Sequence, residues 1–259
     1  MTRTLLAAAA AMAAFVVPSV AHGATLHQNG GPHRLLLQDA QGETNLVSVE
    51  GSRALVIRDI NAPIRLARVP TCMRIDAYAV RCAAVRHLDV DLGAGPDIAT
   101  IATPREVSVE GGAGNDRYVS LAADAPSRVD FSGGVGLDVA NYFYATAGVS
   151  VAVDTGAGDG RPGDDDRIRR DVESVFGSQF DDVLTGSPRT VQLEGFDGDD
   201  RITGGSGAEA LSGGDGNDRI DARDGAPDRI DCGGQALDWA AVDTEAFIVR
   251  CATIAEDER

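Results

Sequence analysis

The stretch Gly177–Asp221 decides the reading of this chain. Cut into nines it runs GSQFDDVLT (177–185), GSPRTVQLE (186–194), GFDGDDRIT (195–203), GGSGAEALS (204–212) and GGDGNDRID (213–221). Position one is Gly in every block. Position eight is Leu184, Leu193, Ile202, Leu211 and Ile220; position six is Asp182, Val191, Asp200, Glu209 and Asp218. A fixed period without insertions is the mark of a repeat architecture. Each block opens on a Gly-rich turn, where a positive φ carries no steric cost, and closes on a short strand. One aliphatic side chain per block points inward. Stacked blocks then bury a ladder of Leu and Ile, each worth roughly 1.5–3 kcal/mol.

If two blocks make one coil of 18 residues, alternate blocks share an edge. Asp182, Asp200 and Asp218 form one column, flanked by Asp197, Asp199, Asp215 and Asn217. Val191 and Glu209 fall on the opposite edge, which reads as degenerate. Stacked strands place equivalent residues about 4.8 Å apart. At an effective dielectric of about 20, each neighbouring carboxylate pair repels by roughly 3 kcal/mol. Something positive must sit between the coils. Arg201 and Arg219 follow the column and are the first candidates. Yet residues 154–243 hold 19 Asp and 3 Glu against 9 Arg, a net of −13. Hard oxygen ligands and exposed turn carbonyls suit Ca²⁺, which takes 6–8 oxygens.

At these residues the chain resembles the repeats-in-toxin (RTX), or haemolysin-type, calcium-binding proteins, whose nonapeptide is G-G-x-G-x-D-x-U-x with U a large apolar residue. Gly213–Asp221 matches in full. GGAGNDRYV (111–119) matches with Tyr118 at the apolar place. Gly195–Thr203 departs only at Phe196. GGVGLDVAN (133–141) keeps Asp138 but has Ala140 at the apolar place, and LGAGPDIAT (92–100) is a weaker copy with Asp97. Further segments, VDLGAGPD (90–97), DVESVFGSQFDDVLTGS (171–187) and DRIDCGGQALDWAAVD (228–243), look like a set of secreted bacterial proteins with an N-terminal β region, a Cys pair and irregular repeats. The resemblance implies an all-β fold, a parallel β-roll or β-solenoid with a small N-terminal β cap. It also implies Ca²⁺ held by sixth-position Asp and turn carbonyls. The candidate metal ligands are Asp97, Asn115, Asp116, Asp138, Asp182, Asp197, Asp199, Asp200, Asp215, Asn217, Asp218 and Asp228. Two departures matter: RTX toxins usually leave by a C-terminal signal, and here the even-numbered blocks lack the Asp, so Ca²⁺ is expected mainly along one edge.

The N-terminus reads MTRTLLAAAAAMAAFVVPSVAHGA. One Arg, an apolar run from Leu5 to Val17 and small residues after Pro18 give the order of a secretory signal peptide. The run is short of the ~20 residues that span a bilayer. Residues 1–24 are read as the signal, 25–92 as a β-rich cap, 93–231 as the calcium-binding roll and 232–259 as a C-terminal cap. In the first cap, Leu35/Leu37, Val47/Val49, Leu55/Ile57 and Leu88/Val90/Leu92 alternate, as short strands do. Trp239, the single Trp, is read as a core residue of the far cap. The four Cys suit an oxidising compartment. Cys72 with Cys82 and Cys232 with Cys251 is the simplest of the three possible pairings.

The chain has 259 residues, a net charge of −17, 23 Arg and no Lys. That balance argues against nucleic acid and anionic membranes. The acidic loop DTGAGDGRPGDDD (154–166) offers Asp154, Asp159, Asp164, Asp165 and Asp166 either as a separate chelate or as a solvated insertion. No H-E-x-x-H is present, and the nearest approach to G-x-S-x-G, around Ser206, is broken by Ala208. The expected function is an extracellular or surface Ca²⁺-binding repeat protein, non-catalytic, with cell-surface or wall polymers as possible partners. The alternative is a secreted carbohydrate-active β-helix enzyme, whose acidic sites carry no short motif.

Overall fold

The computed structural model describes residues 23–31, 33–39, 42–121, 125–235, 237–243 and 246–256. The segment read as an export signal lies outside them apart from Gly23 and Ala24. The described chain holds strands and turns and no helix, hence none long and apolar enough to cross a membrane.

One long sheet of 12 strands runs the length of the molecule. Its parallel part steps from Leu46–Glu50 through Ile98–Ala102, Arg117–Leu121, Val139–Tyr144, Ser174–Phe176, Gln192–Asp197, Ala210–Asp215 and Arg229–Asp231 to Phe247–Val249. The opposite face changes partway. Over the N-terminal half it is a sheet of 7 strands, including His87–Asp91, Glu106–Ala113 and Arg128–Val135, that ends at Arg167–Ile168. Over the C-terminal half it is a sheet of 6 strands that begins at Ser150–Ala152 and continues through Val183–Thr185, Arg201–Thr203, Arg219–Ala222 and Trp239–Val242 to Thr253–Glu256. All three sheets are open. The chain is thus all-β with parallel strands stacked coil on coil, an arrangement consistent with a β-roll.

The nonapeptide period sets the register. Gln192 pairs with Ala210, Val183 with Arg201 and Arg201 with Arg219, each a step of 18 residues. The position-eight residues Leu184, Leu193, Ile202, Leu211 and Ile220 are all buried, forming the expected two ladders. Further up the stack, Tyr118 fills the same place because both its ladder neighbours, Ala99 and Ala140, are small. Its ring packs 5.7 Å from Phe131 and 5.8 Å from Tyr142.

The N-terminal end is finished by antiparallel strands. Ala54–Asp59, Ala79–Ala83 and Cys72–Arg74 follow Leu46–Glu50 in the long sheet, and directly opposed Cys72 and Cys82 are bonded. Cys232 and Cys251 form the second disulfide, tying the last two coils. Parallel pairing runs across residues 92–93 and continues beyond 231, through Phe247–Val249 and Thr253–Glu256. Trp239 departs from its expected core place. It is half-buried, with the Arg219 guanidinium 4.0 Å from its ring centroid, while Ala240 and Val242 fill the interior.

The acidic loop 154–166 is divided: Asp154 is exposed, and Asp165 is half-buried and paired with Arg128. Asp159, Asp164 and Asp166 are buried, and their carboxylates serve as internal acceptors. Asp159 takes the amides of Ala152 and Ile168; Asp164 takes Ser127 and Arg161; Asp166 takes the Val129 amide and the hydroxyls of Ser127, Tyr118 and Tyr142. This loop sits where the face opposite the long sheet changes hands, and these carboxylates bond the backbone groups left over there.

Candidate metal centre

Two rows of acids follow from the topology. The entry row consists of the residues that immediately precede the parallel strands of the long sheet from Leu46–Glu50 to Arg229–Asp231: Asn45, Asp97, Asp116, Asp138, Glu173, Val191, Glu209 and Asp228. The exit row precedes the strands of the C-terminal sheet from Val183–Thr185 to Trp239–Val242: Asp182, Asp200, Asp218 and Asp238. The edge that reads as degenerate in the sequence is therefore the continuation of the Asp97–Asp116–Asp138 row. It is acidic almost throughout, and its one apolar member is Val191.

Each row is linked by one repeated hydrogen bond. The amide of one residue donates to the carboxylate of its counterpart in the next coil. In the exit row Asp182 donates to Asp200 Oδ1 (2.8 Å), Asp200 to Asp218 Oδ1 (2.9 Å) and Asp218 to Asp238 Oδ1 (3.1 Å). In the entry row Asn45 donates to Asp97 (2.5 Å), Asp97 to Asp116 (2.9 Å), Asp116 to Asp138 (2.7 Å) and Asp138 to Glu173 Oε2 (3.0 Å). After the break at Val191, Glu209 donates to Asp228 Oδ1 (2.9 Å).

That bond uses one carboxylate oxygen and leaves the other. Oδ2 of Asp97, Asp116, Asp138, Asp200, Asp218 and Asp228, with Glu173 Oε1 and Glu209 Oε2, is buried and has no hydrogen-bond partner. Asp182 and Asp238 differ, because their Oδ2 atoms accept the amides of Ser178 and of Gly234 and Gln235. Apart from Glu173 Oε1, which faces Arg189, the rest form a line of orphaned oxygens, and a buried unpaired charge is costly enough to demand a partner. No ion pair joins Arg201 or Arg219 to these carboxylates; among the described residues the row's ion pair is Arg189 with Glu173 at 3.6 Å. Arg201 and Arg219 are thus not the neutralising groups, and Arg189 reaches Glu173 alone.

The first glycine of each motif is explained here, and not by its φ. Gly111, Gly133, Gly177, Gly195 and Gly213 lack the positive φ that the turn reading assigned to them. A Cβ on any of them would collide with the sixth-position carboxylate, as on Gly111, where it would lie 2.5 Å from Asp116 Oδ2. The glycine's missing side chain is the pocket that holds the acid. The left-handed φ belongs to the second and fourth positions, as at Gly214 (117°) and Gly216 (147°).

Burial sets the electrostatics. It pushes the carboxyl of Asp200 up to about 8, with the charges of Asp182 and Asp218 adding to the effect. Asp97 is raised to about 7 by burial and by Asp116, Glu209 to about 7 by burial and by Asp228, and Asp138 and Asp218 to about 6 in the same way. Without a cation, these groups resist ionising together near neutral pH. Oxygen-only donors, high negative charge and buried orphan atoms fit Ca²⁺.

The remaining predicted residues form an exposed outer tier. Asp199 donates its amide to Asp181 Oδ1 (2.9 Å) and Asn217 donates to Asp199 Oδ1 (2.8 Å); Asn115 Oδ1 accepts from Leu137. Asp197 and Asp215 are register partners on the same side. These links run in the opposite sense to the buried row and point their groups at solvent. Sequence reasoning missed Asp181, Glu173, Asp224 and Asp238. Asp238 closes GGQALD (233–238), a turn that a search demanding the fourth Gly passes over; Glu173 stands in VESV, with no glycine to mark it.

One Ser–His contact bears on the enzyme alternative. Ser108 Oγ lies 3.3 Å from His87 Nε2, but the same nitrogen is 2.7 Å from Asp89, itself held by Arg34. That nitrogen donates to the carboxylate and so is not placed as a base for Ser108.

Parallel coils that repeatedly set an acid in a glycine pocket and tie it to an amide are the architecture of a repeat protein suited to hold cations between its coils. Residues 176–208 and 203–226 match the RTX calcium-binding nonapeptide repeat (4 copies), and such repeats bind Ca²⁺. The match covers this segment alone and supports reading its repeats as calcium-binding nonapeptides. No curated protein matches the chain.

Proposed function

We propose that this is an exported calcium-dependent β-roll protein in which Ca²⁺, bound along both acidic rows, completes the fold, and that its role is structural or adhesive at the cell surface rather than catalytic. One observation carries the reading: a buried oxygen without a partner recurs on coil after coil, while the other oxygen of the same carboxylate is tied to the backbone. Ca²⁺ between coils would neutralise the rows, and binding energy would become folding energy. In a Ca²⁺-poor cytoplasm the chain would stay open; outside, it would close. The signal-like N-terminus and the two disulfides support export. Sixth-position ligands are Asp97, Asp116, Asp138, Asp182, Asp200, Asp218 and Asp228, with Asn115, Asp197, Asp199, Asp215 and Asn217 lining the outer side.

Circular dichroism tests this directly. The chain in EDTA should lack most of its β signal and gain it on addition of about 1–5 mM Ca²⁺, a range typical of extracellular modules. A spectrum indifferent to EDTA and Ca²⁺ would sink the reading.

A further inference from the structure

The last complete turn of the entry row is unlike the others. It reads ARDGAPD (222–228), so Ala222 and Arg223 stand where the motif has two glycines. The residue it faces one coil earlier is Glu209, not Asp, and the 19-residue step from Glu209 to Asp228 shows one residue inserted into the nonapeptide period. Here a third carboxylate joins the pair. Oxygens of Glu209, Asp224 and Asp228 all lie within 4.8 Å of one another, and among the described residues this is the one place where three such groups converge.

Each of the three is anchored by one oxygen. Glu209 Oε1 accepts the Gly207 amide (3.0 Å), Asp224 Oδ1 accepts the Ala226 amide (2.7 Å) and Asp228 Oδ1 accepts the Glu209 amide (2.9 Å). Each also keeps one buried oxygen with no partner: Glu209 Oε2, Asp224 Oδ2 and Asp228 Oδ2. Glu209 is 3% exposed and Asp228 2%, so bulk solvent does not reach their free oxygens. The arrangement is preorganised, because the anchored oxygens fix the directions of the free ones.

We propose that Glu209, Asp224 and Asp228 form a discrete three-carboxylate site for a hard divalent cation, distinct in composition from the row sites and the first on the chain to fill with Ca²⁺. Its third ligand is a side chain from position three of a turn that lacks the motif's glycine pair. The physical reason for its priority is charge count. A step of either row brings two carboxylates to one gap, whereas this gap holds three, and affinity for Ca²⁺ rises with ligand charge and rigidity. The choice of ion rests on the calcium reading above.

The test is calorimetric titration of the full chain with Ca²⁺, with native mass spectrometry to count ions. Asp224→Asn should remove one ion and weaken the tightest step by about tenfold or more, while Asp200→Asn leaves that step in place. Asn retains an oxygen for the Ala226 amide, so the turn is preserved. If Asp224→Asn fails to reach the wild-type β signal at saturating Ca²⁺, Glu209→Gln, which keeps the Gly207 bond, is read by the same criterion. A variant isotherm superimposable on wild type, with wild type binding Ca²⁺, overturns the three-carboxylate site and leaves the calcium reading standing. A wild-type chain that binds no Ca²⁺ overturns the calcium reading itself.

Discussion

The two acidic rows carry the same bond on very different chains. Along the exit row the steps Asp182–Asp200–Asp218 are 18 residues each. Along the entry row the steps Asp97–Asp116–Asp138–Glu173 are 19, 22 and 35 residues. Amide-to-carboxylate distances nevertheless stay between 2.7 and 3.0 Å over all five steps. The constant element is therefore the acid in its turn, and the period is only one way of delivering it. Insertions such as 154–166 are absorbed between turns without disturbing the row. The comparison also isolates a failure at Val191, where the entry row loses its carboxylate and the Glu173 amide, which would donate to it, bonds the Asp138 carbonyl instead.

The widest-reaching test of this shared bond is whether protons can replace Ca²⁺. Free Asp titrates near pH 3.9, while burial, and next the neighbouring acids, raises Asp200 to about 8, Asp97 to about 7 and Asp218 and Asp138 to about 6. Between these values the folded chain binds more protons than the unfolded one. Stability of the metal-free protein must then fall as pH rises from about 4 to about 8. In EDTA the chain should recover β signal near pH 5 and lose it near pH 8; with Ca²⁺ present the loss should vanish. Thermal unfolding in EDTA at the two pH values decides the matter, and a higher midpoint at pH 8 contradicts it. Asp159 and Asp166, also raised to about 6 but hydrogen-bonded at both oxygens, should leave a smaller residual pH dependence that Ca²⁺ does not remove.

A single methyl group sharpens the comparison at the turn. In Gly213→Ala the new Cβ would meet Asp218 Cγ at 2.6 Å, so the carboxylate or the turn must move. The expected loss is about 1–3 kcal/mol, with weaker Ca²⁺ binding. Gly31→Ala, where a Cβ meets nothing within 4 Å, should change stability by less than about 0.5 kcal/mol. Urea unfolding at saturating Ca²⁺ measures both, and equal effects would show that the first glycine is not the acid's pocket.

Much of this was legible in the sequence for a physical reason. Between 177 and 221 no insertion interrupts the nines, so register, ladder and exit row follow by counting. The alternating pairs from Leu35 to Leu92 likewise reveal buried strand faces, because side chains alternate across a strand. The entry row was hidden in two ways. Asp97, Asp116 and Asp138 carry the motif, but the loop 154–166 and the change of facing sheet separate them from Glu209 and Asp228. No local pattern shows that the two segments share an edge. The loop's Asp residues read as ligands or solvent-facing groups because a sequence does not show which amides a turn leaves unpaired. Trp239 misleads since hydrophobicity alone does not distinguish an interior place from the underside of Arg219.

The smallest expected effect lies at Phe196, which occupies a second-glycine place with φ of 82°. A left-handed non-glycine residue costs roughly 1–2 kcal/mol. Its ring offsets this by packing edge-on against Phe143 at 5.0 Å and Phe176 at 6.0 Å, contacts worth about 0.5–1.5 kcal/mol each. Phe196→Gly removes strain and stacking together and should be close to neutral. Phe196→Ala keeps the strain, loses the rings and should fall below Gly by about 1 kcal/mol. Combining Phe196→Gly with Phe143→Ala should cost no more than Phe143→Ala alone loses through its other contacts, since the shared ring pair is already gone. If Ala and Gly at 196 are equally stable, the exit-row turn does not hold that residue left-handed. The motif's second glycine would then matter for the close approach of Gly214 to the Phe196 carbonyl alone.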